Sequence, residues 1–422
     1  MIKTGNGAEG EKRSMRAYER LLKYVAVNTT SCEENGAEVP SGKGEFDLAN
    51  LLADEMKALG LEGVRVDEHA YVYGFIPATA GCEQVPALGF NAHLDTVDDC
   101  GGTDTHPQVI RDYDGGKIAL GTSGKVLDPE QFPHLKECIG KTIVTTDGTS
   151  VLGADDKAGI AEIMTMAERL IAEKIPHGAI SICFSPDEEI GHGASLLDLE
   201  AFGAKYGYTM DGSAPHMVEY ETFNAASAKL TITGFSVHPG SAKGKMINSQ
   251  LVAMEANAML PPEEIPACTE GHEGFYHLTD MKGNVTETVL QYILRDHDAE
   301  KFEGRKRKMQ KIAEALNRKY GEGTVRCEIR DSYRNMAEVI EKHPEVVRVA
   351  EAAVRDAGLE PEFPPVRGGT DGAQLSFRGL PCPNLGTGGY AYHGFYEHAV
   401  AEEMDTSVEI LMNIVRRFRE GA

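Results

Sequence analysis

No two of the eight cysteines form a CxxC pair; Cys32, Cys82, Cys100, Cys138, Cys183, Cys268, Cys327 and Cys382 are scattered along the chain. A disulfide framework and a cysteine zinc site are therefore not expected, and the thiols read as reduced. No stretch approaches the roughly 18–20 apolar residues of a membrane-spanning helix. Positive charge is scarce: 42 Lys and Arg stand against 66 Asp and Glu, a formal net charge of −24. Such a surface repels phosphate backbones and anionic lipids, which argues against nucleic-acid and membrane partners. The one basic run, Arg305-Lys306-Arg307-Lys308, lies in a helical stretch with acids before it and is expected to be a solvated face. The opening MIKTGNGAEGEKRS holds no apolar core of a secretory leader, so a cytoplasmic location is expected. GTSGK at 121–125 lacks the spacing of a phosphate-binding loop, and no GxGxxG opens a helix.

What is present is an alternation of helices and short apolar strands. FDLANLLADEMKALG (46–60) carries Leu48, Leu52, Met56 and Leu59 at helical spacing. ALGFNA (87–92) and AISICF (179–184) read as buried strands, and KAGIAEIMTMAERLIAE (157–173) as a helix between them. This rhythm predicts an α/β fold with a mostly parallel sheet flanked by helices. With 422 residues the chain is too long for one core. From about residue 222 to 335 the order becomes β-α-β-β-α-β, the split-βαβ (ferredoxin-like) sandwich. The expected organisation is a larger domain, 1–221 and 336–422, with a smaller one, 222–335, inserted into it.

The chemistry sits at the predicted strand ends, where open α/β sheets place their sites. ALGFNA is followed by His93 and Asp95, VTTDGTSVL by Asp155 and Asp156, and AISICF by Asp187, Glu188 and Glu189. KYGYTM is followed by Asp211, and CPNLGT leads to His393. Five strand ends each deliver a metal-ligand type, which isolated solvated acids do not explain. Imidazole with carboxylate and no thiolate suits zinc, and also manganese or cobalt. Two histidines and at least three acids exceed one tetrahedral ion with an open position, so two ions sharing a carboxylate are expected. A dication pair would also offset the repulsion within Asp-Glu-Glu. One glutamate can then bind metal while its neighbour stays off it as a general base. A strand puts residues i and i+2 on one face, so Asp95 is a candidate to orient the His93 ring.

The segments HLDT (93–96), GADDKAG (153–159), PDEEIG (186–191) and MDG (210–212), with a late YHG (392–394), resemble the cocatalytic zinc exopeptidases. That family includes glutamate carboxypeptidases, aminoacylases and succinyl-diaminopimelate desuccinylase. YDGGKIAL (113–120), TTDGTSVLGADDKAG (145–159), HPGSAKGKMINS (238–249), ILRDHD (293–298) and RGGTDGAQLSF (367–377) are most similar to its tripeptide aminopeptidases. The likeness runs from about residue 15 to the end; Ser241 stands where the pattern has threonine.

The resemblance implies that His93 and Asp211 complete one zinc site, Glu189 and His393 the other, and that Asp155 bridges them. It implies Glu188 as general base, acting on a water between the ions, and a cis peptide between Asp155 and Asp156. The expected reaction is hydrolysis of the first peptide bond of a tripeptide; a related dizinc amidase or deacylase acting on N-acyl amino acids or dipeptides is the alternative. His238, from the inserted domain, is a candidate oxyanion donor if domain closure brings it to the site. Measuring peptide length calls for a cation on the substrate carboxylate. Arg295, Arg367 and Lys243, with Asn248, are the candidates, whereas Lys245 reads as a surface charge. Asp98, Asp99 and Asp187 remain open as partners for the substrate amino group. Relatives' inserted domains often pair edge to edge, so a homodimer is compatible.

Overall fold

The computed structural model describes residues 14–36, 38–101 and 104–421. The opening segment, read above for its lack of an apolar run, lies almost wholly outside the described residues. Two compact units emerge: Met1–Val218 with Pro344–Glu362 and Leu380–Ala422, and Glu219–His343 with Phe363–Gly379.

The first unit is built on a twisted sheet whose strands run, in spatial order, Glu62–Val66, Val72–Ile76, Ile180–Ser185, Leu88–His93, Tyr206–Gly212 and Asn384–Gly386. A two-residue strand, Val218–Glu219, follows at the edge where the chain passes to the second unit. The last four long strands are mutually parallel, and the first two pair antiparallel. Leu88–His93 and Ile180–Ser185 are buried at every residue. That explains why they read as unbroken apolar runs without alternation. The helix Ala154–Ala172 packs on Leu88–His93 and Tyr206–Gly212, and Ala401–Glu420 packs on that helix. Its approach to the sheet is close: a Cβ on Gly159 would stand 2.1 Å from the Met210 carbonyl oxygen. Only glycine fits there.

One expectation changes at this point. The strand read in VTTDGTSVL is only Ile143–Thr145, and it belongs to a separate four-stranded sheet with Gln108–Ile110, Gly389–Tyr390 and His398–Val400. Asp155 therefore does not hang from a strand end of the main sheet. It arrives at the start of the helix Ala154–Ala172, where Asp155 and Asp156 depart from helical dihedrals and their peptide bond is cis.

The second unit contains the expected β-α-β-β-α-β run: Asn224–Thr233, Ser249–Ala258, Phe275–Gly283, Glu287–Asp296, Ala299–Tyr320 and Val325–Tyr333. Its antiparallel sheet has the spatial order Phe275–Gly283, Glu287–Asp296, Asn224–Thr233, Val325–Tyr333. Leu230, Ile232, Leu290 and Leu294 from the sheet bury against Met309, Ile312 and Leu316 of the long helix. The unit extends past the expected boundaries, because Phe363–Gly379 joins it. Val366 donates its N–H to Glu221 at 2.9 Å, and the Arg367 guanidinium lies over the Phe223 and Phe275 rings. The basic run is not simply a solvated face. Arg305 is 8% exposed and binds Asp296 at 2.8 Å, while Lys306 pairs with Asp331. Lys306 also pairs with Glu303 of its own helix, but Asp296 and Asp331 come from other elements, so the run itself could not announce them.

Among the described residues, no helix is long and apolar enough to cross a membrane.

Candidate metal centre

Three parallel strands deliver side chains to one end of the main sheet. Leu88–His93 ends on His93, Ile180–Ser185 leads into Asp187-Glu188-Glu189, and Tyr206–Gly212 carries Asp211 next to its last residue. Asp155 comes from the helix start, and His393 from the loop between Gly389–Tyr390 and His398–Val400. His393 has φ 60°, a left-handed conformation in the tight loop that presents its ring.

These five residues converge. The two Asp155 carboxylate oxygens face different histidines: Oδ1 lies 2.9 Å from His93 Nε2, and Oδ2 lies 3.2 Å from His393 Nε2. Each of these ring nitrogens faces one more acid. Asp211 Oδ1 is 3.7 Å from His93 Nε2, and Glu189 Oε2 is 3.2 Å from His393 Nε2. Two overlapping groups have ligand atoms within 4.8 Å of one another: His93, Asp156 and Asp211, and His93, Asp155 and Glu189. Asp156 is thus close to the cluster, although its carboxylate also accepts the His93 backbone N–H at 3.1 Å.

The charge balance requires cations. Burial pushes Glu189 up to about 7, with the Asp155 charge adding to it. Burial likewise pushes Asp211 up to about 6, against the pull of His93. For Asp155 burial also acts upward, but hydrogen bonds with His393 and His93 outweigh it and hold the acid below its usual range. His393 is raised to about 11 by Asp155 and Glu189, against the opposing effect of burial. Without metal, histidinium therefore supplies the positive charge. Glu189 Oε1 is buried with no hydrogen-bond partner. An orphan carboxylate oxygen, an all-N/O donor set and one carboxylate aimed at two imidazoles fit a pair of divalent cations.

The acids beside the cluster are held by backbone amides. Asp95, fully buried, accepts the Glu188 N–H at 2.9 Å and the Glu189 N–H at 3.2 Å. Its own carbonyl oxygen faces His93 Nδ1 at 3.1 Å, and its carboxylate lies 3.2 Å from the same atom. Main chain and side chain of Asp95 thus both face the His93 ring. Glu45 accepts the Asp187 N–H at 3.0 Å. Asp187 in turn accepts the Ser41 N–H at 2.7 Å and its hydroxyl at 2.5 Å. That engagement, with full burial, removes Asp187 as a partner for a substrate amine. Asp98 and Asp99 remain, both exposed, in a cavity of about 740 Å³ shared with Glu33, Glu34 and Glu189.

The remaining candidates all lie in the second unit. His238 is exposed, and its Nδ1 accepts the Gly240 N–H at 3.1 Å. A neutral ring so held carries its proton on Nε2. Arg295 donates to the Leu294 carbonyl at 3.0 Å and lies over the Tyr333 ring. Arg367 is more fully engaged, donating to Gly271 O, Glu273 O and Thr269 Oγ1, each at 2.8 Å. Asn248 caps the helix Ser249–Ala258 by accepting the Gln250 N–H at 3.0 Å. Lys243 is exposed.

Two residues escaped the sequence reading altogether. Glu397 and Glu45 are buried acids that bind backbone amides of the site loops. As single acids without a motif of their own, they offered no signal beyond Glu397 lying four residues after His393.

The chain is similar to known proteins in sequence and in fold. Residues 152–417 match the family described as peptidase family M20/M25/M40. The chain is 49% identical over 406 residues to peptidase T of Bacillus licheniformis, covering 96% of this chain and 98% of the relative. It is 50% identical over 405 residues to peptidase T of Caldanaerobacter subterraneus subsp. tengcongensis, with the same coverage. Two solved structures share its fold: an aminopeptidase PepT from Bacillus cereus (TM-score 0.74, 24% identity, 96% of this chain and 98% of that one) and a tripeptidase from Staphylococcus aureus (TM-score 0.77, 22% identity, the same coverage). The chain belongs to peptidase family M20/M25/M40.

Proposed function

We propose that this chain is a metal-dependent aminopeptidase that removes the N-terminal residue of tripeptides. Relatives named peptidase T, at about half identity over nearly the whole chain, support the activity. The observation that carries the reading is Asp155, with one carboxylate oxygen toward each of two histidines and a further acid at the same nitrogen of each ring. His93 with Asp211 would hold one ion, His393 with Glu189 the other, and Asp155 both. Zinc is the expected metal, with manganese or cobalt as substitutes.

When bound, the ions supply Lewis acidity to the scissile carbonyl and to the attacking water. Glu188 takes that water's proton and passes it to the leaving amine. Its main chain is fixed on Asp95, so its reach is set before substrate arrives. If domain closure brings His238 to the site, its Nε2 is the candidate donor to the developing oxyanion. Asp98 or Asp99 holds the free amino terminus. Arg295 is the first candidate for the C-terminal carboxylate, with Lys243 beside it in role. Arg367 and Asn248 are weaker candidates, since their polar atoms already serve the fold. We further propose a cytoplasmic location and a homodimer formed through the second unit.

Metal analysis with a peptide panel tests the reading. The expected result is about two divalent ions per chain and cleavage of free tripeptides but not N-blocked ones. Equal cleavage of N-acylated substrates would make the protein a deacylase of the same family. Arg295→Ala should erase the preference for tripeptides over dipeptides; an unchanged ratio removes Arg295 from the carboxylate clamp.

A further inference from the structure

We propose that Glu397 is a positioning residue that sets the place of the bridging carboxylate Asp155, an inference that rests on the dimetal reading above. Glu397 is 1% exposed and lies four residues after His393. One of its oxygens accepts the N–H groups of Leu152 at 2.7 Å and Gly153 at 2.9 Å. The other accepts the N–H of Asp155 itself at 3.0 Å. A single side chain thus satisfies three backbone donors around one loop. Gly153 turns that loop with φ 79°, so the neighbouring amides can aim at one point.

The same segment is anchored at its other end. The Tyr392 hydroxyl lies 3.0 Å from the Gly212 carbonyl oxygen and 2.9 Å from Thr387 Oγ1. Gly212 directly follows Asp211. His393 therefore sits between an anchor on the Asp211 strand and an anchor on the Asp155 loop. Neither anchor contributes an atom to the ligand set, yet together they fix the separation of the groups that do. The tolerance is small, because each Asp155 oxygen is within about 3 Å of a different ring. A carboxylate whose main chain drifts by an ångström can face one histidine but not both. Groups that orient a metal ligand in this way typically change metal affinity about 10–100-fold when removed.

The test uses Glu397→Gln and Glu397→Asp in the full chain. Glutamine offers one acceptor and sets an NH2 group against a backbone N–H; aspartate keeps the charge but retracts both oxygens. In metal-free protein, amide exchange should rise across 150–156 in Glu397→Gln and stay unchanged in the helix Gly44–Leu59. In zinc titrations against a competing chelator, affinity should fall at least about tenfold at both sites, since Asp155 faces both. Tripeptide kcat should fall by more than KM changes, with Glu397→Asp intermediate in both measurements. Unchanged exchange at 150–156, or zinc affinity and kcat equal to wild type, would overturn the proposal. So would loss of fold in both variants, which assigns Glu397 to stability alone. Failure of the dimetal reading is separately visible, as wild-type protein that takes up no zinc.

Discussion

Replacing Asp95 with alanine isolates the contribution of the amide-binding acids. The substitution removes the acceptor of two consecutive N–H groups, those of Glu188 and Glu189. Leaving a buried donor unsatisfied costs about 1–3 kcal/mol, so the pair amounts to about 2–6 kcal/mol. Both amides are only partly buried and water can reach them, which favours the lower half of that range. The His93 ring keeps one partner, because the Asp95 carbonyl oxygen at 3.1 Å belongs to the main chain. Stability and kcat should therefore drop together while the first metal equivalent is retained. The chain has no tryptophan, so urea unfolding of metal-free protein is best followed by far-UV circular dichroism. Amide exchange along Glu287–Asp296, in the second unit, provides an internal reference that should not move. A loss below about 1 kcal/mol, with Glu188 still catalytically competent, would refute the claim that Asp95 holds the Asp187–Glu189 turn.

Other outcomes follow from the same geometry. Glu188→Ala should retain its metal by elemental analysis yet lose about 10²–10⁴-fold in kcat, whereas His393→Ala should lose metal as well. Glu45 is raised from 4.5 to about 9, by burial first and by Asp95 and Asp187 next. The fold thus keeps a proton that the unfolded chain releases, and this contribution is complete below pH 4.5 and lost as pH rises toward 9. Denaturation at pH 6 and pH 9 should show a decline for wild type that Glu45→Gln lacks. Gly159→Ala should destabilise the first unit by about 3 kcal/mol or more in thermal melts, since its Cβ would meet the Met210 carbonyl. Zinc binding near neutral pH should release protons, because His393 and Glu189 hold them in the metal-free protein. The calorimetric enthalpy should then vary with buffer ionisation heat, and invariance would contradict the assignment.

The architecture was readable because its signals are local. Buried parallel strands appear as short apolar runs, and the split-βαβ unit appears as a change of rhythm near residue 222. The histidines and acids that cluster were also readable, each next to a recognisable strand or motif. Asp155 was reached by a wrong route, however. The apolar stretch before it joins a different sheet, and its place comes from the helix start. Boundaries failed where contacts are distant in sequence: nothing local announces that Phe363–Gly379 folds back onto Glu221, Phe223 and Phe275. Arg305 looked solvated because its acids, Asp296 and Glu264, lie on other elements. Glu397 and Glu45 stayed hidden for the same reason, since a lone acid gives no sign of the amides it will meet.

The acids of the centre divide by what they face. Glu45, Asp95, Asp187 and Glu397 direct oxygens at backbone N–H groups, a fixed and uncharged source of stabilisation. Asp155, Glu189 and Asp211 direct theirs at imidazoles and at each other. Amides can hold a carboxylate in place, but they do not neutralise several carboxylates gathered within a few ångströms. The second set therefore requires mobile positive charge, from protons on the histidines or from bound cations. This division explains why Asp187, Glu188 and Glu189 can be adjacent. The first is satisfied by Ser41, the third needs a cation, and the second lies between them with its main chain pinned to Asp95. The main chain of Glu188 is thus held by Asp95, between a neighbour bound to Ser41 and one facing His393.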